Sequence, residues 1–227
     1  MLTTYCMSNL HHCILTVCIC IAMLIKVVDR SILGQLPNQE QIKQSPRSKE
    51  KYYGEALLRY VLNEEYGNDA IMKSRKNGVF GKPFLSESNV YYSVSHSDGN
   101  LVLGVSCYPL GIDMESINEM AKMDSSIWLS EREKRDETIQ NTWHYLKLWT
   151  VKEAVLKLYG TGFRVMPHHL TINDIRGDAS VSYADGHDVK LKVDISSTDQ
   201  ILEKYIVSVA SFQQWKAQIK LYFMGFS

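Results

Sequence analysis

The sequence predicts an α+β protein of two similar pseudo-symmetric halves, each with helices packed on a small antiparallel sheet. Three observations support this. A capped helical stripe over 46–66 precedes β-prone segments between 90 and 115. A second capped stripe over 142–159 precedes more β-prone segments between 169 and 223. The order of helices then strands thus occurs twice, without a tandem repeat in the residues, which is the pattern of an α+β fold. The division falls near residue 110, with 1–109 as the N-terminal half and 110–227 as the C-terminal half.

Each element has a local cause. Ser45-Pro46 supplies an N-cap and a proline at the first helical position. Tyr53, Ala56, Leu57, Tyr60 and Val61 then recur at helical spacing, and Gly67 stops the helix. The Tyr- and Val-rich segment 90–94 and the apolar segment 101–107 read as strands, with His96 in the turn between them at Asp98-Gly99. Tyr108-Pro109 breaks the chain before a short strand over 110–115, completing a three-stranded meander. Ser130-x-x-Glu133 is a capping box opening a short charged helix. The helix over 142–159 ends at Gly160 and Gly162. Strands are expected at 169–173, 179–183, 189–193, 205–211 and 216–223.

Composition narrows the function. The chain has 227 residues, of which 45% are hydrophobic, enough for a packed core. Lys+Arg and Asp+Glu are both 25, so the basic excess of a nucleic-acid binder is missing. Five cysteines include no CxxC pair, and they read as free buried thiols of a reducing cytoplasm. The apolar run 13–28 is shorter than the roughly 20 residues of a membrane span. With no basic start and no cleavage site, it reads as a buried strand or helix.

Five groups of residues carry potential chemistry. On a strand, Asp113 and Glu115 share one face while Ile112 and Met114 point to the core. Such paired carboxylates are either solvated acids or ligands of a hard divalent cation. On the 142–159 helix, Trp149, Glu153 and Lys157 line one face. Glu153 and Lys157 are a surface ion pair or a third carboxylate beside a phosphate-binding lysine. His96, flanked by Ser95 and Ser97, is a turn histidine or a phosphate donor. Lys82 in Gly81-Lys82-Pro83 is a solvated loop lysine or an anion contact. Arg47, Lys49 and Lys51 crowd a helix N-terminus, as a solvated run or around an anion.

Taken in order, Gly81-Lys82-Pro83, Ser95-His96-Ser97, the Gly111–Glu115 segment GIDME and the Trp149–Lys157 segment WTVKEAVLK resemble the surfactin-type phosphopantetheinyl transferases. Asn77-Gly78, the segment Trp128–Glu133 and Gly160-Thr161-Gly162 extend the resemblance, which covers about residues 46–215. It implies a two-half fold with the active site in the cleft between the halves. It also implies transfer of the phosphopantetheine arm of coenzyme A to a serine of an apo acyl or peptidyl carrier protein, releasing 3′,5′-ADP. Asp113, Glu115 and Glu153 would hold Mg²⁺, and Lys157 a pyrophosphate oxygen. Lys82, Ser95 and His96 would meet the nucleotide, with Arg47 or Lys51 on its 3′-phosphate. Trp149 would pack. The base is Glu153 or a water on the metal. One departure stands out: Glu50 occupies a position where the family carries an arginine. The resemblance further implies a cytoplasmic monomer that binds neither nucleic acid nor membrane. The alternatives are an inactive or coenzyme A-binding relative, another Mg²⁺-dependent phosphotransferase or hydrolase, for which no GxxxxGK[ST] loop exists, and a structural domain.

Overall fold

The computed structural model describes residues 17–19, 23–27, 46–67, 75–120, 124–137, 139, 141–174, 178–182, 188–198, 205–212 and 219–225. The predicted cap Ser45 and the side chain of Arg47 lie outside the described residues. So do most of the apolar run 13–28 and all of its cysteine side chains. Within that run, β1 (Val17–Ile19) and β2 (Met23–Val27) pair as an antiparallel hairpin.

Helix α1 (Pro46–Tyr66) follows the predicted stripe and ends at Gly67. Its buried face, Tyr53, Ala56, Leu57, Leu58, Val61 and Leu62, packs on Tyr92, Leu101, Leu103, Val105 and Tyr222 of a five-stranded sheet. Each fully buried leucine there contributes roughly 1.5–3 kcal/mol. Besides β1 and β2, the sheet contains β5 (Tyr91–Ser97), β6 (Asn100–Ser106) and β13 (Ile219–Gly225), in the order β1-β2-β13-β6-β5. A small hairpin of β3 (Arg75–Asn77) and β4 (Pro83–Leu85) precedes β5.

A second, three-stranded sheet, in the order β11-β12-β7, combines β7 (Leu110–Ser116), β11 (Asp194–Thr198) and β12 (Tyr205–Ser211). Its pleat sorts its residues. Ile112, Met114, Val207 and Val209 face Val102, Leu221 and Phe223 of the first sheet. Ile206 and Ala210 face Val151, Ala154, Val155 and Leu158 of helix α3 (Thr142–Tyr159). The layers therefore run α1, first sheet, second sheet, α3. A third sheet is formed by β8 (Leu170–Asp174), β9 (Asp178–Ser182) and β10 (Asp188–Lys192), all antiparallel. A one-turn helix α2 (Ile117–Met120) follows β7. No helix among the described residues is long and apolar enough to cross a membrane.

Four expectations need correction. β7 does not continue a meander: it pairs with β12 in the second sheet, where Ile112 and Met114 are buried against the face of the first sheet instead of extending its edge. His96 lies in β5, because the turn uses only Asp98 and Gly99, with φ of 46° and 71°. Ser130 and Glu133 do form a reciprocal capping box, but on a single 3-10 turn with Glu133 buried. Cys107 is exposed rather than buried. The strand β13 lies on the C-terminal side of the 109/110 division in sequence, yet it is the middle strand of the first sheet.

Glu133 does more than cap. Its Oε2 meets the Nζ of Lys152, a residue of α3 that is 0% exposed, and its Oε1 accepts the Ile172 N–H at 2.9 Å. Lys152 Nζ also donates to the Trp128 and Pro167 carbonyls, both at 3.0 Å, so all three of its donors are used. Burial pulls its pKa down to about 8 against the pull of Glu133. Removing one member of such a pair strands the other charge. Lys152→Met is therefore expected to cost about 3–5 kcal/mol in urea unfolding, with part recovered by adding Glu133→Leu.

Candidate active site

The site forms where α3 crosses β7. Gly111 permits that crossing: a Cβ there would lie 2.0 Å from the Ala154 carbonyl oxygen and 2.3 Å from the Leu158 nitrogen. Two residues further along the strand, Asp113 is on the same face as Gly111, and Glu115 follows at the next alternate position. From α3, Glu153 and Lys157 come down one helical turn apart. Sequence reasoning placed these four side chains correctly but gave no role to Gly111, whose signal was the small residue at a tight crossing.

Lys157 Nζ lies 2.7 Å from Asp113 Oδ1 and 2.9 Å from Ser95 Oγ. The Ser95 hydroxyl donates to the same Asp113 oxygen at 2.8 Å. Glu115 Oε2 accepts the Ser97 hydroxyl at 2.8 Å. Burial, and then the charge of Asp113, push Glu153 up to about 7, with Lys157 opposing. The same two causes push Glu115 up to about 7, opposed by the Ser97 hydrogen bond and Lys157. Three carboxyl groups crowd together here with one ammonium among them.

Two oxygens of this group, Asp113 Oδ2 and Glu153 Oε1, are buried without a hydrogen-bond partner. Among the described residues no three His, Cys, Asp or Glu side chains are already drawn together closely enough to enclose an ion. The donor set of oxygens only, with two of them unsatisfied in a mutually repelling cluster, nevertheless suits a hard divalent cation.

The remaining predicted residues are placed as follows. Lys82 donates to the Leu110 carbonyl at 2.9 Å and the Leu158 carbonyl at 3.3 Å, tying its loop to the start of β7 and the end of α3. Burial and the nearby Lys157 lower its pKa to about 8. Lys82 and Lys157 line a cavity of about 270 Å³ with Phe80, Pro83, Tyr92, Val94, Leu156 and Gly160. His96 points outward, its Nε2 3.3 Å from Glu50 Oε2 on the first turns of α1. Lys51 is exposed on the same helix. Trp149 packs edge-on against Trp128, with ring centroids 5.4 Å apart.

Residues 109–210, which include β7 and α3, match the model of the 4′-phosphopantetheinyl transferase superfamily. Over this segment the chain is similar to that superfamily. Among curated proteins, the chain is 31% identical over 122 residues to the 4′-phosphopantetheinyl transferase gsp of Aneurinibacillus migulanus, covering 49% of this chain and 48% of the relative. It is 30% identical over 117 residues to psf-1 of Bacillus pumilus, covering 48% and 49%. It is 23% identical over 140 residues to Sfp of Bacillus subtilis strain 168, covering 59% and 62%. The chain thus spans about half to three-fifths of the length of these relatives. All four side chains at the α3–β7 crossing lie inside the matched segment, whereas Glu50, Lys82, Ser95 and His96 precede it.

Proposed function

We infer that this chain is a phosphopantetheinyl transferase, moving the arm of coenzyme A onto a carrier-protein serine. It belongs to the surfactin-type group, built as two related halves, and works as a cytoplasmic monomer. The observation that carries this reading is the set Asp113, Glu115, Glu153 and Lys157, with two buried carboxylate oxygens unsatisfied.

Asp113, Glu115 and Glu153 would hold Mg²⁺. Bound there, the ion would bind phosphate oxygens and draw off their negative charge. Lys157, 30% exposed at its side chain, reaches from Asp113 to the cavity and can bind a pyrophosphate oxygen. The apolar cavity beside it suits the adenine, with Lys82 at its edge. In the reaction the serine oxygen bonds to the β-phosphorus while the bond to the bridging oxygen of 3′,5′-ADP breaks. The serine hydroxyl needs a proton acceptor. Glu153, whose Oε1 is buried without a hydrogen-bond partner, is our candidate.

The cluster makes stability depend on pH. Glu115 and Glu153 hold their protons more tightly folded, near 7, than unfolded, near 4.3. Their protonated forms therefore favour the fold below about pH 4, and that contribution is lost as pH rises through 7. In EDTA, Glu153→Gln is expected to remove on the order of 2–3 kcal/mol of the stability the wild type loses between pH 5 and 8. Urea unfolding across that range measures it, and an unchanged slope would mean that Glu153 is not held protonated.

The deciding experiment is intact-mass measurement of an apo carrier protein incubated with this chain, coenzyme A and Mg²⁺. A gain of one phosphopantetheine, lost with EDTA, is expected. The Glu50–His96 pair favours a second reading, a relative that binds coenzyme A weakly or does not turn it over, because an acid sits where an anion would need a cation. No mass gain across fatty-acid, polyketide and peptide-synthetase carriers would favour that reading.

A further inference from the structure

β5 and β7 are edge strands of different sheets, and they lie side by side without sharing a ladder. Serine side chains join them instead. Ser93, Ser95 and Ser97 fall on one face of β5 by the two-residue period of a strand, and all three are buried. Ser93 Oγ accepts the Ile112 N–H at 3.0 Å. Ser95 Oγ donates to Asp113. Ser97 Oγ accepts the Ser116 N–H at 3.1 Å and donates to Glu115 Oε2 at 2.8 Å.

A hydroxyl has a single proton. With its acceptor side fixed by a backbone N–H of β7, Ser97 directs that proton to the carboxylate one residue away on the same strand. The end of the hairpin is itself anchored. Tyr205, the partner of Ser116 across β12 and β7, donates from its hydroxyl to the Asp98 carbonyl at 3.2 Å and accepts Asn100 Nδ2 at 2.6 Å. Ser97 is thus held from both sides of the junction between the sheets.

We propose that Ser97 is a positioning residue for divalent-cation binding, holding the Glu115 carboxylate in its ligating orientation through a hydroxyl fixed by the Ser116 N–H. This rests on reading Asp113, Glu115 and Glu153 as a cation site. Partners that orient metal-ligating groups typically change affinity by about 10–100-fold.

The test uses the full chain and Mn²⁺ as probe, with binding followed by calorimetry in the absence of coenzyme A. Ser97→Ala is expected to weaken Mn²⁺ binding at least about tenfold, and Ser97→Thr, which keeps the hydroxyl, to restore it. Ser93→Ala removes a hydroxyl that meets only backbone at the same junction, and is expected to leave Mn²⁺ affinity unchanged. In a transfer assay, Ser97→Ala should raise the Mn²⁺ concentration needed for half-activation while leaving kcat at saturating Mn²⁺ near that of the wild type. If Ser97→Ala does not fold, Ser97→Cys, with a similar volume and a weak donor, is read the same way. Wild-type affinity in Ser97→Ala, or equal weakening in Ser93→Ala, overturns the assignment. Absence of Mn²⁺ binding by the wild type, with Asp113→Asn indistinguishable from it, overturns the cation site itself and Ser97 with it.

Discussion

Asp113→Asn should lower phosphopantetheine transfer by about 10³-fold or more, while the protein stays folded. Asp113 lies at the centre of the cluster, 3% exposed, with Ser95 and Lys157 both on Oδ1 and nothing on Oδ2. The amide keeps the side chain's shape and can still accept the Ser95 hydroxyl. It removes the charge that, after burial, does most to raise Glu115 and Glu153. Without that repulsion both groups move back toward the ordinary carboxylate range. In EDTA at pH 8 the variant should then be as stable as the wild type or more so. Activity falling while stability holds or rises marks a residue kept for chemistry rather than for the fold. Intact-mass assays at several Mg²⁺ concentrations, paired with urea melts, measure both sides. Transfer within tenfold of the wild type would show that the acids are not the metal centre.

Gly111→Ala should destabilise the protein by about 3 kcal/mol or more, because the atoms its methyl meets cannot move aside. The Ala154 oxygen at 2.0 Å and the Leu158 nitrogen at 2.3 Å are helix backbone, so α3 itself must shift. Gly104 is a useful contrast. A methyl there would come within 1.8 Å of Ile112 Cδ1, the far end of a side chain that has rotamers to exchange. Gly104→Ala should therefore cost less, within about 1–3 kcal/mol. Denaturant unfolding of both variants gives the comparison, and the opposite ranking would mean that α3 rides more loosely on β7 than its geometry indicates. Because Glu153 and Lys157 sit on α3, residual folded Gly111→Ala should also bind Mg²⁺ poorly.

The site was more legible in the sequence than the route that assembles it. Asp113 and Glu115 on one face, and Glu153 and Lys157 one turn apart, follow from the periods of strand and helix, which sequence displays directly. Both long helices were readable for the same reason: apolar stripes between a cap and a stop. Strand partnership was not. Nothing local distinguishes β7 paired to β6 from β7 paired to β12, since each choice buries Ile112 and Met114. β11, Asp194–Thr198, carries no apolar run and is a strand because β12 offers it a ladder. The fates of individual lysines were hidden too. Lys82 read as a solvated loop lysine or an anion contact and Lys152 was given no role, yet their ammonium groups are occupied by carbonyls and, for Lys152, by Glu133. Only three-dimensional neighbours decide between those outcomes.

The place of β13 bears on how the protein is made. As residues leave the ribosome, β6 acquires β5 as a neighbour immediately, but the opposite edge of β6 stays bare until residues 219–225 emerge, more than a hundred positions later. The first sheet therefore cannot close during synthesis of its own half, whereas β7, α3 and β12 can meet earlier. Closing so long a loop is slow, and an uncovered apolar edge invites pairing with other chains meanwhile. Nascent chains arrested before residue 219 should accordingly expose that edge, and would be natural clients for chaperones that shield unpaired strands.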